Sequence, residues 1–191
     1  NAFLKTLEEP PKHAVFILAT TEKHKVLPTI LSRCQIFNFN RIVSDDIASH
    51  LQGIAEKESV KTESDALHVI AQKADGGLRD ALSIFDQLIS FSGGELTYDK
   101  VIKNLNILDY DYYFKTTDLI KNKNLSGLLL LLNQVLTNGF EDVLFMNGLA
   151  SHFRNLLVSK DESTLVLLDV GDNIKEKYKT QSQENEVGFL I

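Results

Sequence analysis

Two short stretches of the chain carry residue types suited to phosphoryl chemistry. In the first, an apolar run at residues 14–19 (AVFILA) ends in Thr20 and Thr21, and further on Leu27-Pro28-Thr29-Ile30-Leu31-Ser32 leads into Arg33 and Cys34. Hydroxyls at the carboxyl end of a buried strand lie where α/β sheets place their ligands. A threonine there can orient water or sense a terminal phosphate. An arginine that follows a short helix is held rigidly and can stabilise charge on a transferring phosphoryl group in a neighbouring subunit. Spacing alone also admits a plainer reading, a strand-end threonine pair and a surface arginine. The second stretch is Gly76-Gly77-Leu78-Arg79-Asp80-Ala81-Leu82. Arg79 falls in the first turn of its helix, the end where the helix dipole favours anions over cations. Contact with a phosphate would explain that placement. An ion pair with Asp75 or Asp80 would explain it too, and the sequence leaves both open.

The elements that must position these residues differ along the chain. Ala2, Phe3, Leu4 and Leu7 have helical spacing, and Glu8-Glu9-Pro10-Pro11 stops that helix. Residues 14–19 are a continuous apolar run of the kind found in strands buried on both faces. Pro28 suits a helix start over residues 26–31. Residues 34–40 (CQIFNFN) alternate as a second short strand. Two strands and a short helix are too little to make a sheet, so this part is expected to pack on something outside it. From residue 41 onward the pattern is helical. Ser44, followed by Asp45 and Asp46, reads as an N-cap, and residues 62–65 (TESD) resemble a capping box. Stripes at Ile47, Ala48, Leu51, Ile54 and Ala55, at Leu67, Ile70, Ala71 and Ala74, and at Leu78, Ala81, Leu82, Phe85, Leu88 and Ile89 predict a three-helix bundle. Further helices are predicted over roughly 98–106, 110–121, 124–138, 141–159 and 172–182. The fourth stripe of note is Phe145, Leu149, Phe153 and Leu156. Residues 124–138 are apolar nearly all round, which places that helix at the centre of its bundle. The run at residues 189–191 has neither cap nor breaker and is expected to lie inside an element.

Composition narrows the function classes. Hydrophobic residues make up 43% of 191 and charged residues 24%, enough to bury a real core. The net charge of −6 disfavours a protein that grips nucleic acid with its whole surface. Cys34 is the only cysteine, so neither an internal disulfide nor a cysteine zinc site can form, and a reducing cytosol fits best. No charged-then-apolar leader opens the sequence, and no run is long enough to span a bilayer, so no secretion or membrane residence is expected. No glycine precedes a lysine, which removes the phosphate loop G-x-x-x-x-G-K-[ST], and the G-x-S-x-G elbow is missing too. Residues 165–169 (LVLLD) imitate an apolar strand ending in a metal-binding aspartate, but they lie among helices and read as core. The histidines (His13, His24, His50, His68, His152) show no metal-ligand pairing and read as surface or capping residues. No metal site is expected.

Three segments together carry a family resemblance. Residues 1–11 (NAFLKTLEEPP), residues 16–34 with their Ser-Arg-Cys ending, and residues 77–86 (GLRDALSIFD) closely resemble the bacterial gamma/tau family of DNA polymerase III clamp-loader subunits, which are AAA+ ATPases. The likeness is specific and ordered over roughly the first half and pattern-level in the later helices. It implies a mostly α chain: the trailing remnant of an AAA+ α/β core (residues 1–40), a helical lid (41–97), and a helical collar that oligomerises (98–191), continuing past Ile191. It implies that Thr21, with Thr20 beside it, is sensor 1, that Arg33 is an arginine finger acting on a neighbouring subunit's ATP, and that Arg79 is sensor 2, touching the phosphate of its own subunit's ATP. ATP and Mg are the implied cofactors of the full-length ATPase, with none bound by this portion alone. The family's phosphate loop, acidic metal-binding motif and four-cysteine zinc module are expected upstream of Asn1. Implied partners are other loader subunits (gamma/tau copies, delta and delta-prime), the sliding clamp, and primer–template DNA, all in the cytoplasm. Two other readings remain: a non-hydrolysing delta-prime-like subunit, against which Arg79 stands, and a purely structural helical scaffold.

Overall fold

Helical periodicity sets most of the backbone, and the tertiary contacts decide where each helix lies. The computed structural model describes residues 2–190, and the chain divides into two compact units that meet between Asn40 and Arg41. In the first unit, α1 (Ala2–Glu8) ends at the Glu9-Pro10-Pro11 breaker, and α2 (Pro28–Leu31) begins on a proline whose fixed φ suits the first helical turn. A 3-10 turn covers Lys23–Lys25.

The two strands predicted at residues 14–19 and 34–40 do not form. Val15 is 86% exposed, Ile17 87% and Phe39 93%. The cause is physical. A strand persists only when its N–H and C=O groups pair with a neighbouring strand, and parallel strands need partners brought by crossovers. Among the described residues no such partner exists, so these segments keep strand-like composition without a ladder.

The second unit is built from helices. Its first layer holds α3 (Ser44–Lys57), α4 (Ser64–Lys73) and α5 (Leu78–Ser92). Ile47, Leu51, Ala55, Leu67, Ile70, Ala81, Phe85 and Leu88 form one buried cluster, matching the predicted stripes. Gly93, left-handed at φ 71°, ends α5 as a C-terminal glycine should. Two predicted caps are corrected. Ser44 sits inside the first turn, with Val43 at the cap, and its hydroxyl donates instead to the Asp169 carboxylate at 3.0 Å. The capping box at residues 62–65 is replaced by a tiny parallel ladder, β1 (Lys61–Thr62) on β2 (Glu95–Leu96), with Lys61 opposite Glu95 and Thr62 opposite Leu96. Glu63, freed from that role, accepts the Tyr98 backbone N–H at 2.7 Å, where its charge complements the start of α6 (Tyr98–Asn104). Leu96 and Val101 extend the same core.

The remaining helices are α7 (Tyr110–Lys121), α8 (Leu125–Thr137), α9 (Asp142–Val158), α10 (Asp172–Glu184) and the short α11 (Val187–Leu190). Asp109 and Asn124 cap α7 and α8 by accepting backbone N–H groups at 3.0 and 2.9 Å. Two buried clusters hold this part together. One joins Phe114, Leu156, Leu168, Val170, Ile174 and Tyr178, and the other joins Tyr113, Leu131, Val135, Phe145 and Leu149. The core reading of the LVLLD segment holds only in part: Leu168 is buried and Leu165 packs against the same cluster, but Val166 and Leu167, at the end of a 3-10 turn (Glu162–Leu167), are 86% and 54% exposed. The central place predicted for residues 124–138 is wrong. α8 buries Leu131 and Val135 but leaves Leu125, Leu129 and Leu130 exposed, the last by 72%. It packs on α7 along one side, and nothing among the described residues covers the other. His152 departs from its predicted surface role: it is 1% exposed, set between Tyr178 and Gln181.

One close packing ties α4 to the start of α10. The Asp65 carboxylate accepts from the Asn173 amide at 2.7 Å and presses on Gly171, where a Cβ would come within 1.9 Å of Oδ1. Asp65 is buried and one of its oxygens has no hydrogen-bond partner, so it has little freedom to yield. Gly171→Ala is expected to cost about 1–3 kcal/mol, as overpacking of a tight contact does. Urea denaturation of the two proteins measures it, and an unchanged midpoint would show that the junction relaxes freely.

Candidate functional site

The first unit holds Thr20, Thr21 and Arg33. Thr20 and Thr21 follow the apolar run at residues 14–19 and are exposed. The Thr20 hydroxyl accepts the Glu22 backbone N–H at 3.0 Å, a local turn that fixes its direction. Arg33 lies just beyond α2, whose last turn is closed by the Ser32 N–H donating to the Pro28 carbonyl at 3.0 Å and the Arg33 N–H to the Ile30 carbonyl at 3.0 Å. The guanidinium is tied at several points. Its Nη1 donates to the Thr29 carbonyl at 2.8 Å and to the Ser32 hydroxyl at 3.2 Å. Its Nε donates to Glu8 Oε1 at 2.7 Å, and Nη2 donates to the same oxygen. The side chain is aimed by its own helix end and met by a carboxylate from α1. That carboxylate was missed by sequence reasoning, which read Glu8 only as part of a helix stop. The two residues are far apart along the chain, and no periodicity links them.

The second unit holds Arg79, in the first turn of α5 with Gly77 at the cap. Asp75 is taken by Arg41, whose guanidinium pairs with the Asp75 carboxylate. Arg41 also crowds Gly76, where a Cβ would fall 2.5 Å from the Arg41 Cβ, and Gly76 has φ 81°, so only glycine fits this turn. Ile42 N–H donates to the Gly76 carbonyl at 3.4 Å, closing the turn that delivers α5. Arg79 itself is exposed and makes no ion pair among the described residues. An unpaired cation beside the free N–H groups of a helix start is a combination that binds anions, phosphate above all.

The four residues do not share one unit: Thr20, Thr21 and Arg33 belong to the first and Arg79 to the second. No cluster of potential metal ligands occurs among the described residues. No described helix is long and apolar enough to cross a membrane.

Comparison with known proteins is consistent along the chain. Residues 46–94 match the family model described as "DNA polymerase III clamp loader subunit, ATPase lid domain", and residues 1–43 match the one described as "DNA polymerase III, delta subunit". Among curated relatives, the DNA polymerase III subunit tau of Bacillus subtilis is 41% identical over 191 residues, which is 100% of this chain and 33% of that protein. The gamma/tau subunit of Mycoplasma genitalium is 39% identical over 170 residues, covering 88% of this chain and 28% of its own. The Escherichia coli tau subunit is 38% identical over 141 residues, 74% of this chain and 22% of its own. The chain thus spans a third or less of the length of these three relatives. A solved structure, that of the Bacillus subtilis DNA clamp loader delta protein, aligns over 99% of this chain and 60% of its own at 17% identity and a TM-score of 0.44.

Proposed function

Because the chain belongs to the bacterial DNA polymerase III gamma/tau clamp-loader family, we propose that it forms the rear portion of an ATP-driven subunit that loads the sliding clamp on primed DNA. Residues 1–40 complete the nucleotide-binding core, residues 41–97 form the lid, and residues 98–191 form most of the collar through which subunits assemble. The apolar segments at residues 14–19 and 34–40 support the first assignment, since they have the composition of core strands and expose Val15, Ile17 and Phe39. The uncovered leucine face of α8 supports the third.

The residues present fit a nucleotide phosphate in one respect: two guanidinium groups reach solvent, and one of them stands unpaired at a helix start. When bound, ATP with its Mg supplies the anionic charge and the phosphoryl bond to be broken. Arg33 lays its positive charge against the terminal phosphate held by the adjacent subunit. Arg79 contacts the phosphates held by its own subunit and so couples the lid to the nucleotide. Thr21, with Thr20 beside it, orients the attacking water at the end of the core strand. Once the terminal phosphate has gone, Arg33 and Arg79 lose their anionic partner, the subunit interfaces loosen and the clamp closes.

The unpaired Arg79 is the observation that most directly supports nucleotide handling. Arg79→Ala in the full-length subunit is expected to weaken ATP binding about ten-fold, the worth of one charge-assisted contact discounted for exposure. Equilibrium ATP titration measures it, and an unaltered affinity would remove Arg79 from the site. The wider reading is tested by ATP turnover of the subunit mixed with its loader partners, clamp and primed DNA. Turnover independent of DNA would favour a scaffold. The delta-subunit match over residues 1–43 favours a second reading, a subunit that assembles without hydrolysing. Arg79 argues against it, and a phosphate loop upstream in the full-length sequence would exclude it.

A further inference from the structure

The contact between Arg33 and Glu8 has a direction that an incidental surface pair would not need. Of the guanidinium's two usable edges, Nη1 is spent on the Thr29 carbonyl and the Ser32 hydroxyl, both belonging to the helix end that carries Arg33. Those bonds aim the side chain whatever else it touches. The Nε–Nη2 edge is the fork that grips a carboxylate or a phosphate through two parallel hydrogen bonds. Glu8 Oε1 occupies that edge, accepting from both nitrogens. The pair is open to solvent, with side chains 34% and 49% exposed for Arg33 and Glu8, so it can be broken without unpacking a core. Glu8 is the last residue of α1, immediately before Glu9-Pro10-Pro11.

We infer that Glu8 is a positioning residue that parks Arg33. It holds the phosphate-gripping edge in the unassembled subunit and yields it only when a neighbouring subunit presents a nucleotide phosphate. The inference rests on the reading of Arg33 as an arginine finger acting in trans. A carboxylate competes with a phosphate for the same edge, and an exposed pair is weak enough to lose to a multiply charged phosphate. Thr29 and Ser32 keep the finger aimed after release. Glu8 thereby sets how readily the interface fires without its proper stimulus, and it leaves the fully engaged rate to Arg33.

The test uses the full-length subunit assembled with its loader partners. ATP turnover is measured with and without clamp and primed DNA, for wild type, Glu8→Gln, Glu8→Asp, Arg33→Ala and the double variant Glu8→Gln/Arg33→Ala. Glu8→Gln is expected to raise unstimulated turnover about two- to five-fold, the range an exposed ion pair allows. Its stimulated kcat is expected to stay near wild type, so the stimulation ratio falls. Glu8→Asp restores the ratio, and in the double variant the gain disappears. If Glu8→Gln leaves unstimulated turnover unchanged or lowers it while Arg33→Ala still collapses the stimulated rate, the parking role is overturned and the finger stands. If Arg33→Ala leaves stimulated turnover intact, the finger reading fails and the parking role falls with it.

Discussion

Replacing Arg33 with alanine in the full-length subunit is expected to lower DNA-stimulated ATP turnover by on the order of 10³-fold or more while leaving ATP binding close to wild type. The size follows from where the charge acts. As a phosphoryl group transfers, negative charge spreads over its oxygens, and a fixed guanidinium facing it stabilises the transition state more than the ground state. Arg33 has the rigidity that this demands, since its own helix end holds Nη1 at 2.8 Å from the Thr29 carbonyl. Binding would be spared because, in the role proposed above, the finger serves the nucleotide of the next subunit. Arg33→Lys is expected to recover only part of the rate, because an ammonium lacks the planar fork. Steady-state turnover alongside ATP titration separates the two effects. Lost ATP binding with normal turnover of what remains bound would refute a role in trans.

Acid should destabilise the helical unit through His152. Its ring is stacked near Tyr113 and set edge-on to Phe114. The Gln181 amide nitrogen donates to the Phe114 carbonyl at 2.9 Å and to Asp118 at 2.7 Å, which turns the Gln181 oxygen toward the histidine. His152 Nε2 must then carry the proton, and Nδ1 accepts from the Tyr178 hydroxyl at 3.0 Å. A second proton would put a charge in a buried site, and burial pushes the pKa down from 6.5 to about 4. The sign follows directly. Between those values the unfolded chain binds a proton that the folded chain refuses, so stability is full above pH 6.5 and falls as the pH drops toward 4. The loss is on the order of 3 kcal/mol when complete. Denaturation midpoints at neutral and acid pH, for wild type and His152→Gln, check it. The variant should be less stable at neutral pH but lose less on acidification. An equal loss in both proteins would assign the acid sensitivity elsewhere.

The helices were legible in the sequence because their signal is local. A stripe such as Ala81, Phe85 and Leu88 needs only its own residues to declare a buried face, and it did. Strands at residues 14–19 and 34–40 were legible only as composition, since a ladder is a property of two paired segments and cannot be read from one. α8 failed for a related reason. Its leucines mark surface that prefers burial, but whether a neighbour arrives is not written in the helix itself. Ser44 has the chemistry of a cap, yet a longer-range acceptor, Asp169, took its hydroxyl. The positions of Arg33 and Arg79 could be read from their helix ends. The ion pairs near them could not: Arg41–Asp75 and Glu8–Arg33 join residues remote in sequence. His152 was hidden because its neighbours Tyr178 and Gln181 come from another helix.

The bare run at residues 14–19 bears on how this part of the chain behaves when it is handled by itself. It has six apolar residues in succession, with no charge and no proline, and it lies in no strand. Such a segment is a template for stacking against copies of itself, the seed of a cross-β aggregate. Gatekeeper charges stand just outside it, at Lys12 and at Glu22 and Lys23, but none falls within. The solubility of residues 1–40 by themselves thus depends on covering this run, whereas residues 41–190 contain the buried clusters described above.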